Sequence, residues 1–227
     1  MCGRFTLTLD PGELQEALEL GPFLQLYQPR YNIAPTQPVA LVRDPETRAI
    51  ELFRWGLVPS WAKDISIGNQ MINARGESVH EKPSFRSAFK SRRCLILADG
   101  FYEWRKEGKL SIPYYFQLEN GAPFAFAGLW DDWESKGVSS LPGVPGLTTC
   151  TLITTSANGD VQPIHPRMPV ILTKETMWDW LEESDSRFLM SLLKPLPEGS
   201  LLAHQVSRDV NTPQSQGKYL IEPVDEG

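Results

Sequence analysis

The second residue of the chain, Cys2, is the first side chain whose position suggests chemistry. Initiator methionine is commonly removed before such a small residue, so we expect a mature protein that begins with this cysteine. Its α-amine and thiol both titrate close enough to neutral pH that a fraction of each is deprotonated without much tuning. An aldehyde is the natural target, because the amine forms an imine and the thiolate then closes a thiazolidine ring on the same carbon. From these residues alone, a packing cysteine is the simpler interpretation.

Three further polar positions interrupt segments where a fold alone would not need them. Asn73 offers an amide that both donates and accepts hydrogen bonds, although an Asx turn is the simpler interpretation of this residue alone. Glu103 lies in a strand-like segment, where burial would raise its pKa toward the range of a general acid or base; an exposed strand carboxylate is the alternative. His165 lies in a proline-stiffened loop beside Arg167, which places an imidazole close to an anion binder.

These side chains also match another kind of site. Cys2, His165 and either Asn73 or Glu103 are the parts of a cysteine hydrolase. Whether they meet in space does not follow from their spacing.

Composition restricts the class of protein. With 227 residues, 41% of them apolar and 22% charged, the chain suits a globular fold with a substantial core. No apolar run approaches the ~20 residues of a membrane span, so we expect a protein inside the cell, in the cytoplasm, on the nucleoid or in a nucleus. The three cysteines lie far apart, which predicts neither disulfides nor a metal site.

The net charge of −6 argues on its face against a nucleic-acid partner. Basic residues nevertheless cluster in residues 86–93 and 105–109, and single arginines lie within the polar segments. Because a charge run is usually a solvated face, these clusters alone do not indicate a DNA-binding surface.

Apolar periodicity and turn residues predict a mixed α and β domain over residues 1–227, with strands predominating. A helix over 11–20 is expected behind Asp10 as N-cap. Further helices are predicted at 83–90, 174–181 and 186–193, and loops at 59–69 and 132–146. Strands are predicted at 39–42, 50–53, 70–73, 94–98, 101–104, 112–118, 124–130, 148–155, 201–206 and 219–221. Turn residues separate the strands between 94 and 130, which predicts an antiparallel meander.

With these segments in order, the chain resembles the SRAP (SOS response-associated peptidase) family. The resemblance covers almost the whole chain and rests on short motifs at residues 1–5, 30–35, 55–61, 72–75, 98–104, 165–169 and 206–211. Their order and spacing together make it specific. It implies a single β-rich α+β domain, with antiparallel strands forming a barrel-like core and a few flanking helices.

The resemblance also implies a function. The expected protein is a monomeric enzyme without cofactor or metal that binds abasic sites in single-stranded DNA as part of the DNA damage response. After removal of Met1, it would crosslink to the lesion as a thiazolidine, and Cys2 matches the nucleophile. Asn73 and Glu103 match residues that position groups and shuttle protons, and His165 matches an imidazole that assists opening of the sugar ring.

The DNA contacts follow from the same resemblance. Arg4, Arg75 and Arg167 match phosphate contacts. Pro35 and Trp61 match the surface against which DNA is unstacked and bent. Arginine contacts and aromatic stacking are also what sequence-tolerant binding of single strands requires, and a local groove suffices for them despite the net acidity.

Two other functions stay open at this stage. One is a protease, as the family's name implies, which in its narrowest form would remove Met1 through Cys2, Glu103 and His165. The other is a module that binds single-stranded DNA without catalysis.

Overall fold

Two β-sheets and a few short helices build the fold, in a computed structural model that describes residues 2–134 and 146–224. The helices are α1 (Pro11–Leu18), α2 (Arg86–Ser91), α3 (Met177–Glu182) and α4 (Ser186–Leu192). The strands are β1 (Phe5–Leu7), β2 (Arg30–Ile33), β3 (Pro38–Val42), β4 (Glu51–Trp55), β5 (Asn73–Arg75), β6 (Arg93–Ala98), β7 (Gly100–Glu107), β8 (Leu110–Leu118), β9 (Phe124–Trp133), β10 (Leu147–Ser156), β11 (Arg167–Pro169), β12 (Ile171–Leu172) and β13 (Leu201–Gln205). Short 3₁₀ helices cover Ile65–Gln70, Gly76–Ser78, Arg208–Asn211 and Lys218–Leu220.

Five strands close into a barrel. In ring order, β3 pairs with β4, β4 with β10, β10 with β9, β9 with β6, and β6 with β3 again. The β4–β10 pairing is parallel, whereas the other four are antiparallel. The predicted β-rich α+β fold with a barrel-like core is therefore confirmed. The parallel β4–β10 pairing was not predicted, because turn residues indicate hairpins between antiparallel strands, whereas parallel strands are joined by long connections.

A second, antiparallel sheet with the order β13-β8-β7-β1-β2 carries the N-terminus and packs on the barrel. Phe5 of β1 contacts two barrel side chains, Trp55 and Phe126, with ring centroids 5.2 and 5.5 Å apart. All three rings are fully buried. Edge-to-face aromatic contacts add to the free energy gained from burial, so the strand that follows Cys2 is held firmly against the barrel.

Both faces of β7 are covered, and this places Glu103. Side chains alternate along a strand, so Phe101 joins the main core while Tyr102 joins a second apolar cluster on the opposite face. Glu103 shares the face of Phe101 and is only 2% exposed. The carboxylate therefore lies between the second sheet and the barrel instead of in solvent.

Helix α1 forms largely as its sequence predicts. The Asp10 side chain accepts hydrogen bonds from Gly12 N and Glu13 N. The Glu13 carboxylate in turn accepts a hydrogen bond from Asp10 N, which completes a capping box. Leu14 and Leu18 are the buried residues. The helix ends at Leu18 instead of residue 20, because Glu19 adopts a left-handed conformation with φ of 56°.

Several sequence predictions need correction. The segment 94–130 is not a meander: β7 and β8 form a hairpin in the second sheet, while β6 pairs with β9 in the barrel. The predicted strand at 219–221 is the 3₁₀ helix Lys218–Leu220, and the predicted loop at 59–69 contains most of the 3₁₀ helix Ile65–Gln70. The strand predicted at 70–73 begins only at Asn73. In the loop predicted at 132–146, residues 132–133 belong to β9, and 135–145 lie outside the described residues.

Candidate active site

Cys2 lies beside β7 because the ladder between β1 and β7 continues toward the N-terminus. Phe5 pairs with Phe101, and Tyr102 N donates to Arg4 O at 2.9 Å. If this register is continued one residue beyond Arg4 and Tyr102, Gly3 lies opposite Glu103, and Cys2 follows Gly3 toward the N-terminus. The Cys2 side chain is fully buried, and its Sγ donates a long hydrogen bond of 3.8 Å to Arg4 O.

Asn73 holds the backbone of Cys2. It is the first residue of β5, where it pairs with Leu152 of β10. Its Nδ2 donates to Cys2 O at 2.8 Å. Its Oδ1 is buried and accepts no hydrogen bond from the described residues, which leaves an acceptor suited to an N–H group beside Cys2.

Glu103 and His165 form a pair next to Cys2. His165 Nδ1 lies 3.8 Å from Glu103 Oε1, and the same nitrogen lies 3.1 Å from the backbone N–H of Arg167. Burial raises the pKa of Glu103, and the nearby His165 acts in the opposite direction. A carboxyl group with a raised pKa keeps its proton to a higher pH than an ordinary glutamate, so it can act as a general acid and, once ionised, as a general base.

The Cys2 thiol is not activated in this setting. Burial raises its pKa well above the ordinary value, and the neighbouring Glu103 carboxylate raises it further. This corrects the expectation from sequence that a useful fraction is deprotonated without tuning, because full burial was not visible in the sequence. Any nucleophilic role of this thiol would therefore require a proton acceptor, and Glu103 is close enough to affect its charge.

The three arginines expected at phosphates lie in different settings. Arg4 Nη1 donates to Asn32 Oδ1 at 2.7 Å and to Val210 O, so part of its guanidinium is committed within the fold. Arg167 forms a two-pronged ion pair with Glu77 and also donates to Thr154 O at 2.7 Å. Arg75, at the end of β5, is exposed. Their roles at DNA stay predictions.

The two residues expected at the DNA-bending surface lie in loops. Pro35 is half-buried in the turn between β2 and β3, where Thr36 adopts a positive φ of 73°. Trp61 is 55% exposed and lines a shallow cavity of about 460 Å³ with Lys63 and Gln70. An exposed indole beside a lysine is suited to stacking on a base.

The chain matches a known family over most of its length. A model of the family described as SOS response associated peptidase (SRAP) matches residues 1–213. The chain belongs to the SRAP family. The resemblance inferred from the motifs is thereby confirmed.

Relatives of this SRAP chain carry names that refer to abasic sites. Abasic site processing protein YoqW of Bacillus subtilis (strain 168) is 44% identical over 98% of this chain and 99% of its own length. Abasic site processing protein HMCES of Gallus gallus is 32% identical over 100% of this chain and 79% of its own length. A crystal structure of a Bacteroides thetaiotaomicron protein superposes with a TM-score of 0.85 at 26% identity, covering 98% of this chain and 100% of that one.

Two polar residues near the candidate site residues were missed as candidates. Asn32 is buried, accepts from Arg4, and its Nδ2 donates to Thr212 O and Ser215 O at 3.0 Å each, so it ties residues 212–215 to β2. A polar side chain inside an apolar strand was the signal. Glu77 is the second, and its position two residues after Arg75 was the signal for it.

The described part of the chain offers neither a cluster of metal-binding side chains nor a helix able to span a membrane. Over residues 2–134 and 146–224, no group of three His, Cys, Asp or Glu side chains is arranged to hold a metal ion. In the same part of the chain, no helix is long and apolar enough to cross a membrane.

Proposed function

We propose that this SRAP protein forms a covalent crosslink with abasic sites in single-stranded DNA, through Cys2 after Met1 has been removed. The observation that carries the proposal is the burial of Cys2 between the Asn73 amide on its carbonyl and the Glu103–His165 pair. The names of the relatives, which are abasic site processing proteins, support the same substrate.

The first stage makes an imine. An abasic sugar is mostly a closed hemiacetal, and ring opening moves a proton from its hydroxyl to the ring oxygen, which His165 assists. The free α-amine of Cys2 adds to the aldehyde carbon to give a carbinolamine. Protonation of its hydroxyl by Glu103 releases one water and leaves the protonated imine, whose nitrogen carries one hydrogen; the raised pKa of this carboxyl favours the acid form that the step needs.

The second stage closes the ring. The Cys2 sulfur adds to the imine carbon, the thiol proton passes to Glu103, and the imine nitrogen keeps its hydrogen as the ring amine. Because burial keeps the thiol protonated, this proton acceptor is required. One water is lost overall, and no oxidant or cofactor is consumed. Ring closure removes the imine before the neighbouring sugar carbon loses a proton, so the DNA strand is not cleaved by β-elimination.

One chain contains every group in this scheme, so a monomer suffices. Reversible DNA contact would come from the exposed Arg75 and Trp61, with Arg4 and Arg167 as further cations. We place the activity inside the cell, where such single strands arise.

A general cysteine protease fits the geometry less well. Such an enzyme needs a thiolate paired with a base, whereas the Cys2 thiol has a raised pKa and His165 lies against Glu103. Removal of Met1 by the same residues is a narrower reaction, which the family's peptidase description favours. Mass spectrometry of the wild type and of Glu103→Gln, both purified from cells, tests this reaction, because Met1 should be retained only in the variant.

Incubation of mature protein with single-stranded oligonucleotides that contain or lack one abasic site, followed by denaturing electrophoresis, tests the main proposal. A shifted covalent band with the lesion alone is expected. Reversible binding in a native gel without any covalent band would indicate a binding module, and proteolysis without DNA attachment would indicate a protease.

A further inference from the structure

Glu77 pairs with Arg167, the arginine that follows His165 in the sequence. Its carboxylate forms a two-pronged ion pair with Arg167, with Nη2 to Oε2 at 3.0 Å and a shorter contact from Nη1 to Oε1. Arg75 is also close enough to favour the ionised form, and both arginines contribute to lowering the pKa of Glu77, Arg167 most strongly. The Glu77 carboxylate is thus engaged chiefly by Arg167.

The backbone holds Glu77 in this place. Arg75 pairs with Thr154 of β10, and Glu77 follows in the 3₁₀ helix Gly76–Ser78. A Cβ atom on Gly76 would lie 3.3 Å from Thr154 O, closer than most Cβ contacts, so glycine lets this turn approach β10 tightly. Arg167, which pairs with β10 from β11, donates to the same Thr154 carbonyl at 2.7 Å. Glu77 and Arg167 therefore meet over Thr154.

A carboxylate that accepts two parallel N–H bonds from a guanidinium takes the position that two phosphate oxygens would take. The Arg167 side chain is 19% exposed and that of Glu77 is 55% exposed, so the carboxylate is the more accessible partner and can swing into solvent. A phosphate that reaches Arg167 through this fork must displace Glu77.

We propose that Glu77 is an internal competitor of DNA, which occupies the phosphate position at Arg167 in the free protein and is displaced when a single strand binds. The inference rests on the proposed function, since it takes Arg167 as a phosphate contact. Its consequence is weaker reversible binding to all single strands, so that lasting attachment depends on covalent reaction at an abasic site.

The test measures the Kd of a labelled, lesion-free single-stranded oligonucleotide by fluorescence anisotropy, for mature wild type and variants. Glu77→Gln keeps the shape of the side chain and removes its charge, and we expect about twofold to fivefold tighter binding, as for loss of a partly exposed ion pair. Glu81→Gln is the matched control: it removes the same charge four residues away, from a side chain that is 72% exposed. Glu77→Ala is a second variant with the same expected direction.

A double-mutant cycle with Arg167→Ala separates competition from a general charge effect. In the Arg167→Ala background, the gain from Glu77→Gln should fall by at least half. Equal gains from Glu77→Gln and Glu81→Gln would overturn the role of Glu77, and so would unchanged or weaker binding by Glu77→Gln and Glu77→Ala. Either result would leave the proposed function standing. If the folded wild type binds no single strand at all, the proposed function fails, and this inference fails with it.

Discussion

Exchange of Glu103 for glutamine should separate proton transfer from binding. Glutamine keeps the size of the side chain but cannot give or take the proton that imine formation and ring closure need. General acid–base catalysis is worth about 10²–10⁴-fold in rate, which corresponds to about 3–5 kcal/mol of activation free energy. Because Glu103 is only 2% exposed, bulk water has little access to replace it, and we expect crosslinking to slow by about 10³-fold.

The same variant should be more stable than the wild type. Burial raises the pKa of Glu103, so the folded state binds this proton more tightly than the unfolded state does. The stability that protonated Glu103 contributes is therefore present below the ordinary glutamate pKa and is lost as pH rises toward the folded value. Glutamine is neutral throughout, so the variant should melt at a higher temperature at pH 7, with a smaller difference in acid.

Single-turnover kinetics with excess mature protein and a labelled abasic oligonucleotide would measure crosslinking, and a chase would measure its reversal. Anisotropy with lesion-free DNA should give a Kd close to that of wild type. Rates within about twofold of wild type in both directions would refute the proton-transfer role of Glu103. A lower melting temperature at pH 7 would refute the reasoning about its buried charge.

Two further predictions concern the N-terminus and the DNA contacts. An N-terminal extension that cannot be removed should abolish the crosslink and leave reversible binding largely intact, because it blocks only the amine; equal crosslinking by extended and mature protein on a denaturing gel would contradict this. Arg75→Ala should weaken single-strand binding and reduce the slope of log K against log salt by roughly 0.7, for one lost phosphate contact. The exposed Lys109→Ala serves as the control, and an unchanged slope for Arg75→Ala would show that Arg75 does not contact phosphate.

Local signals in the sequence predicted local structure well. Asp10 was predicted as the N-cap of α1, because the backbone groups that it caps lie within three residues of it, and the structure adds Glu13 as its capping-box partner. The pairing of β6 with β9 could not be predicted from the sequence, because alternation identifies a strand but not its partner. The segment 219–221 was wrongly predicted as a strand, because so short an apolar stretch does not separate a strand from the single 3₁₀ turn in which Leu220 is buried.

The sequence predicted the residues of the candidate site but not the contacts among them. Motifs pointed to Cys2, Asn73, Glu103 and His165, but the contacts among them join residues far apart in the chain, such as Glu103 and His165. Their burial depends on the packing of both sheets, so the raised pKa of the Cys2 thiol had no local signal. Likewise, the engagement of Arg167 by Glu77 depends on how closely Gly76 approaches β10.

The most direct test of the central claim removes the thiol and keeps the amine. In mature Cys2→Ala, an imine should still form with the abasic aldehyde, but no sulfur can close the ring. We predict that this variant loses the stable adduct, is trapped on the DNA by borohydride, and nicks abasic strands more than the wild type does. If it still binds the DNA but gives neither a trapped adduct nor extra nicking, the α-amine is not the attacking group and the thiazolidine mechanism is wrong.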